Sequence, residues 1–238
     1  MNDNILEIKN LTKIYKNNKN EQTGVFSLNF SVKKGSFHAF IGENGSGKTT
    51  TIKSIISSYI NYTGDILIDN VDVKKNPLIK SKIGYVPESA IFPKELNVYE
   101  YLLYLGCLGS LSKKEVQTKI DSLLEKFDIT DLKYKKPFNF SSGQKKKILL
   151  IQMLLNEPEL IILDEPAANL DPTARYQLFS LLEELHQSGT TIFISSHILS
   201  EIDKYVDSFT LIHKGKILYN GLKTEQLEKV FYEKIIKV

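Results

Sequence analysis

The sequence predicts an α/β protein: a mainly parallel sheet covered by helices, with an amino-terminal antiparallel β lobe and an inserted α-helical lobe. Three observations predict it. The first part of the chain alternates apolar and polar residues with the period of half-buried strands. The middle carries apolar residues at helical spacing. The remainder alternates short apolar runs with helical stretches, the pattern of a parallel sheet covered on both faces. Taken in order, residues 5–9 and 25–32 read as strands. Residues 37–41 form a short apolar strand that runs into a glycine-rich turn, and 49–58 read as a helix. Residues 64–69 alternate again. Residues 97–108 and 113–127 have helical spacing, and Ser112 with Glu115 makes a capping box. Residues 160–163 read as a buried strand. Residues 172–187 read as a helix, with Asp171 as N-cap and Pro172 in the first position. Residues 190–195 follow as a strand, and 209–219 as a hairpin turning at Lys214 and Gly215. Residues 224–236 read as an amphipathic helix. These readings make the 238 residues a single domain, with a core from 1–86 and 156–238 and a helical lobe at 87–155.

Composition narrows the function. A formal net charge of +3 is too small to imply nucleic-acid binding. Arg175 is the only arginine, so bidentate recognition of phosphate or guanine is scarcely available and no nucleic-acid partner is expected. The single cysteine, Cys107, has no partner for an internal disulfide. It sits in an apolar stretch and is expected to be a buried thiol in a reducing compartment. The opening segment MNDNILEIKN lacks the charged-then-apolar layout of a signal peptide. The longest apolar runs, such as 148–155 around Gln152, fall far short of the roughly 20 residues of a spanning helix. Any membrane role must therefore come through a partner.

The chemistry starts at residues 42–49. Gly42, Glu43, Asn44, Gly45, Ser46, Gly47, Lys48 and Thr49 read GENGSGKT and fit G-x-x-x-x-G-K-[ST] between a strand and a helix. The glycines let backbone N–H groups turn inward around a phosphate chain, and the following helix, with Thr50 in its first turn, adds the positive end of its dipole. Lys48 is placed for the β- and γ-phosphates of ATP, and the Thr49 hydroxyl for Mg²⁺. A plain glycine turn at a strand–helix joint would not require all these positions to agree. The core is thus predicted to be a P-loop NTPase. Residues 160–165 read LIILDE. Asp164 is placed to hold Mg²⁺ through water, and Glu165 to take a proton from attacking water. Alone, two acids ending a strand are as readily a solvated strand end; the phosphate loop upstream tips the reading towards metal and water.

Phe140, Ser141, Ser142, Gly143 and Gln144 read FSSGQ, about twenty residues before Asp164. With the two motifs above, this makes almost the whole chain resemble the nucleotide-binding domain of ATP-binding cassette proteins, whose signature usually reads LSGGQ. The resemblance implies that two cassettes pack head to tail, the signature of one covering ATP held by the other. Ser141 and Ser142 as caps of a helix from Gln144 onward fit that role, since free N–H groups there can meet a phosphate; the segment alone reads equally as a plain N-cap. The resemblance further implies that Tyr15 stacks on adenine, the alternative being a strand tyrosine packed on the core. Glu88, in GYVPE, stands where the family more often has glutamine; it is implied to sense Mg²⁺ and water and to communicate with the membrane partner. Asn169, Leu170 and Asp171 resemble the loop that touches the opposite cassette. His197, in ISSH, resembles the histidine that contacts the γ-phosphate and holds the attacking water, whereas His38, His186 and His213 match no such position.

Two departures stand out. Ser142 replaces the first signature glycine. Lys145, Lys146 and Lys147 follow without the arginine common there, and read most simply as a solvated helix face. With Lys48, Asp164, Glu165 and His197 all present, an active ATPase is expected. It would work as a homodimer or heterodimer of cassettes bound to transmembrane permease subunits at the cytoplasmic face of the membrane. GYVPE and SSHILSEID look most like the exporter branch. Ile91, Phe92, Leu96 and Tyr99 read either as a groove for the permease or as core of the helical lobe. A soluble cassette acting on ribosomes or DNA is the rival reading; the single cassette and the lack of a coiled-coil insertion argue against it. The signature and His197 argue against an unrelated P-loop kinase or GTPase.

Overall fold

The computed structural model describes residues 3–16, 22–89, 91–109 and 111–237. The first two residues of the opening segment lie outside them. Strands β1 (Asn4–Lys16), β2 (Gln22–Lys33), β4 (Thr63–Ile68) and β5 (Val71–Asp72) form an antiparallel sheet in the order β2-β1-β4-β5. β1 is longer than its apolar alternation predicts. Register shifts between Ile8 and Leu11 and between Leu11 and Lys13, with Asn10 at φ 52°, interrupt the two-residue period that would have revealed it.

The second sheet holds β3 (Phe37–Ile41), β6 (Ile83–Val86), β7 (Leu160–Leu163), β8 (Thr191–Ser196), β9 (Ser208–His213) and β10 (Lys216–Leu222). Its order is β10-β9-β3-β8-β7-β6, and only β10 runs antiparallel to its neighbour. β3, β7 and β8 are buried at every residue, which is why they read as apolar runs rather than alternation. The β9–β10 turn at Lys214 and Gly215 has φ of 45° and 73°, the left-handed pair that a tight hairpin requires.

Helices α1 (Lys48–Ile55), α2 (Val98–Gly106), α3 (Lys113–Lys126), α4 (Ser142–Leu154), α5 (Pro172–Gln187), α6 (Leu199–Ile202) and α7 (Leu227–Phe231) cover the large sheet and build the inserted lobe. α1 ends before residue 58 because Ser57 takes φ 59°. The terminal helix starts at Leu227 rather than at 224 and widens to a π turn over Tyr232–Ile236. Asp171 caps α5, accepting from Ala174 N at 2.9 Å, and Ser112 with Glu115 forms a reciprocal box at α3.

Two apolar cores flank the large sheet. Phe37, Ala39 and Ile41 face the helices, packing with α2, α3, α4 and α5, while Phe40, Ile162 and Phe193 face α1 and the antiparallel sheet. Each fully buried Phe, Leu or Ile contributes roughly 1.5–3 kcal/mol against exposure. Phe92 belongs to the first core, edge-on to Tyr101 at 5.0 Å, whereas its neighbour Ile91 is 94% exposed. Cys107 is exposed, contrary to expectation, because it stands at the C-cap of α2, where the chain leaves the apolar face.

Candidate active site

The parallel strands are in register: Val86 stands beside Leu163, Leu163 beside Ile194, and Ile41 beside Ser196. The residues that follow these strands therefore emerge at one sheet edge, the place where open α/β sheets bind ligands. This collects the 42–50 loop, Glu88, Asp164, Glu165 and His197, although they are scattered along the chain. All but the buried Asp164 border a cavity of about 530 Å³ lined by Tyr15, Thr23, Gly24, Asn44, Gly45, Gly47, Lys48, Thr49, Thr50, Glu88, Glu165 and His197.

Gly47 is the N-cap of α1 at φ 112°, and a Cβ there would stand 2.5 Å from Val25 Cγ1. Only glycine lets the loop curl this tightly on top of β2. The β9–β10 turn braces the loop from outside, with Gly215 N donating to Ser46 O at 2.9 Å. Gly42 and Ser46 are buried behind the loop, and Glu43 is turned away from the cavity, its carboxylate 2.8 Å from His213 Nδ1.

Lys48 is buried. Its ammonium donates to Gly42 O at 2.8 Å and Glu43 O at 3.2 Å and lies 3.5 Å from Glu165 Oε1. Thr49 Oγ1 donates to Asp164 Oδ1 at 3.4 Å. Asp164 is only 3% exposed. A hydroxyl beside a carboxylate is a hard-oxygen donor set, so these residues fit a Mg²⁺ ion. Glu165 takes φ 45°, a left-handed conformation that costs a non-glycine residue roughly 1–3 kcal/mol. Ser195 over-determines it, accepting from Glu165 N at 2.9 Å while donating to Asp164 Oδ1 at 2.8 Å. His197 donates to Glu165 Oε2 through its backbone N at 3.3 Å and through Nδ1 at 2.8 Å; a carboxylate can only accept. That leaves Nε2 for another partner.

Tyr15 lines the same cavity and is 37% exposed, and so is not packed into the core. Tyr59 meets its ring edge-on at 6.2 Å, and the Lys13 ammonium lies 5.2 Å from the ring centroid.

Ser141, Ser142, Gly143 and Gln144 do not line this cavity. Ser141 alone is the cap of α4, in a reciprocal box with Gln144: Gln144 N donates to Ser141 Oγ at 3.2 Å, and Ser141 N to Gln144 Oε1 at 3.1 Å. The helix thus starts two residues before Gln144, and Ser142, its first residue, donates its hydroxyl to Asn169 O at 2.7 Å. Of the three lysines after the signature, Lys146 and Lys147 are not on a solvated face. Lys146 is buried and donates to Pro87 O at 3.0 Å and Glu88 O at 3.1 Å, and Lys147 donates to Phe127 O at 2.9 Å. Burial pushes the Lys146 ammonium down to about 8, opposed by the Glu88 and Asp164 carboxylates. Sequence reasoning missed Thr23, Gly24, Ser195 and Lys146. The serine pair before His197 was a visible signal for Ser195; the others depend on contacts between distant segments.

The family model described as ABC transporter matches residues 25–168. A putative ABC transporter ATP-binding protein of Mycoplasma pneumoniae is 48% identical over 94% of this chain and 68% of its own length. The bacitracin transport ATP-binding protein BcrA of Enterococcus faecalis is 36% identical over 90% of this chain and 68% of its own. Among solved structures, an ATP-binding subunit of an ABC transporter superposes with a TM-score of 0.84 at 30% identity, covering 96% of this chain and 98% of that one. The chain belongs to the ABC transporter family, as an ATP-binding subunit with ATPase activity.

Proposed function

We propose that this chain is the motor of an exporter of drugs, peptides or lipids, closing on a second cassette around ATP. What carries the reading is one cavity lined by Lys48, Thr49, Glu165 and His197 together with the exposed ring of Tyr15. Adenine stacks on Tyr15. The triphosphate lies along Gly42–Thr50, with Lys48 leaving its loop carbonyls for the β- and γ-phosphates. Thr49 and Asp164, with Glu88 at the rim, would hold Mg²⁺, which would draw negative charge from the phosphate oxygens. Glu165 takes a proton from water as that water's oxygen bonds to the γ-phosphorus. The bond to the bridging oxygen breaks, and ADP leaves with the electron pair. His197 Nδ1–H keeps the Glu165 carboxylate aimed, and Nε2 faces the γ-phosphate.

Ser141, Ser142, Gly143 and Gln144 stand outside the cavity of their own chain, in line with their serving the cavity of a partner cassette. That partner is a second copy or a related chain. In this reading the chain divides into a core, 1–86 and 156–238, and a helical lobe, 87–155, and the lobe docks on the transmembrane permease at the cytoplasmic face. The cavity of about 620 Å³ beside Tyr85, Leu105 and Leu108 and the 94% exposed Ile91 are the docking candidates. No helix among the described residues is long and apolar enough to cross a membrane. The bacitracin relative supports a cargo of the drug or peptide class.

Glu165→Gln tests the assignment. ATP binding should persist, turnover should fall about 10²–10⁴-fold, the usual contribution of a general base, and size-exclusion chromatography should show an ATP-dependent dimer. Turnover at the normal rate would remove Glu165 from the mechanism.

A further inference from the structure

The chain's only arginine has no part in the reading above. Arg175 lies one turn into α5, and its Nη2 donates to Leu170 O at 3.2 Å. Its Nη1 pairs with Glu201 Oε1 on α6, the helix that follows His197. One guanidinium thus joins the loop at 169–171 to the segment carrying His197. The same loop is held from its other side by Ser142, through the 2.7 Å bond to Asn169 O. From His197 the contacts continue to Glu165 Oε2, at 2.8 Å from Nδ1. Polar contacts and short stretches of backbone therefore link the head of the signature helix to the proposed general base.

The chemistry explains why arginine stands here among so many lysines. A planar fork reaches a carboxylate and a carbonyl in two fixed directions, whereas an ammonium on a flexible stem holds no such span. The pair is not a solvated surface bridge, since the side chains of Arg175 and Glu201 are 34% and 16% exposed. α6 has only four residues and no side-chain cap, so it has little helical stability of its own. Leu199 and Ile202 bury its apolar side, and the bond to Arg175 sets how its polar side is turned.

We propose that Arg175 is a positioning residue for hydrolysis: by tying Leu170 O to Glu201 it sets His197 beside Glu165 and links that setting to the loop facing the second cassette. This rests on the roles proposed for Glu165 and His197. The test compares wild type, Arg175→Lys, His197→Ala and the double variant in steady-state ATP hydrolysis. Arg175→Lys should lower kcat about tenfold, the cost of a small misplacement, with KM for MgATP nearly unchanged. In the His197→Ala background it should cost less than about twofold, because the group it acts through is gone. Glu201→Gln should repeat the pattern, and thermal unfolding midpoints of the single variants should stay near wild type. An equal loss in both backgrounds, an effect confined to KM, or no effect overturns the inference; so does a fall in kcat that follows a fall in midpoint across both variants. If His197→Ala itself costs nothing, the role of His197 fails and takes this inference with it. A large His197→Ala loss with additive Arg175→Lys leaves that role standing and removes only Arg175.

Discussion

His38 lies on β3 with Nδ1 2.8 Å from Ser208 Oγ and Nε2 2.8 Å from Thr210 Oγ1, and its ring stacks on Phe193 at 5.8 Å. Burial pushes its pKa down to about 3, against 6.5 for a free imidazole. The unfolded chain thus binds a proton that the folded chain refuses. The resulting stability is fully present above pH 6.5 and is lost as pH falls from there towards 3. Wild type should lose stability faster than His38→Gln over pH 6.5 to 4.5, by up to about 1.4 kcal/mol per pH unit. Urea unfolding at several pH values reads this directly, and parallel slopes would show that His38 is not the titrating group. The histidine was visible in the sequence, but its environment was not. Two hydroxyls on β9 surround it, and β9 is far away in the chain. The same holds for Lys146, Arg175 and Ser195, whose partners are carbonyls, a carboxylate and backbone groups supplied by other segments. Lys48, Asp164 and Glu165 were legible because each sits in a short contiguous motif, GENGSGKT or LIILDE, even though the partners of the two acids, Thr49, Ser195 and His197, come from distant segments.

α4 docks on β6 with almost no gap. A Cβ on Gly84 would stand 2.4 Å from Met153 Cγ and 2.8 Å from Pro158 Cγ. Gly84→Ala should therefore destabilise the fold by about 1–3 kcal/mol through overpacking, as measured by denaturant unfolding. Met153→Ala in the same chain should relieve part of that cost, because the thioether is the movable neighbour and the proline is not. Full additivity of the two changes would place the strain elsewhere. At this scale, caps and turns were the best-read features: the cap of α5, the box of α3 and the β9–β10 turn each depend on a few adjacent residues. Elements shaped by tertiary contacts were read less well. The bulges hide the length of β1, and Ser57 ends α1 early with no residue type that announces a stop. The helix of the signature was placed, but its start was put two residues late, because Ser142 has its own partner on another loop.

The layered architecture and its mainly parallel sheet were legible throughout, since alternation, apolar runs and helical spacing each occupied a separate stretch of chain. The face proposed to meet a membrane protein has no such period: Ile91 and Phe92 are adjacent apolar residues, one exposed and one in the core. A mild-detergent pull-down of tagged protein from native membranes should recover a multi-span membrane protein in about equal amount, identified by mass spectrometry. Ribosomal or DNA-repair proteins in its place would leave the ATPase standing and remove transport. The sheet order also bears on how the molecule is made. β3 pairs with β8 and β9, so Phe37 finds Ile192 only after the intervening chain has been synthesised. At ordinary translation speeds that is a wait of roughly 8–30 s. Throughout it the apolar strand FHAFI lacks both its flanking strands, the situation in which unpaired edges recruit other chains. For this protein the hazardous period is the time on the ribosome: a stall before Thr191 leaves the phosphate-loop residues synthesised but without their brace at Gly215, and the central strand open on both sides.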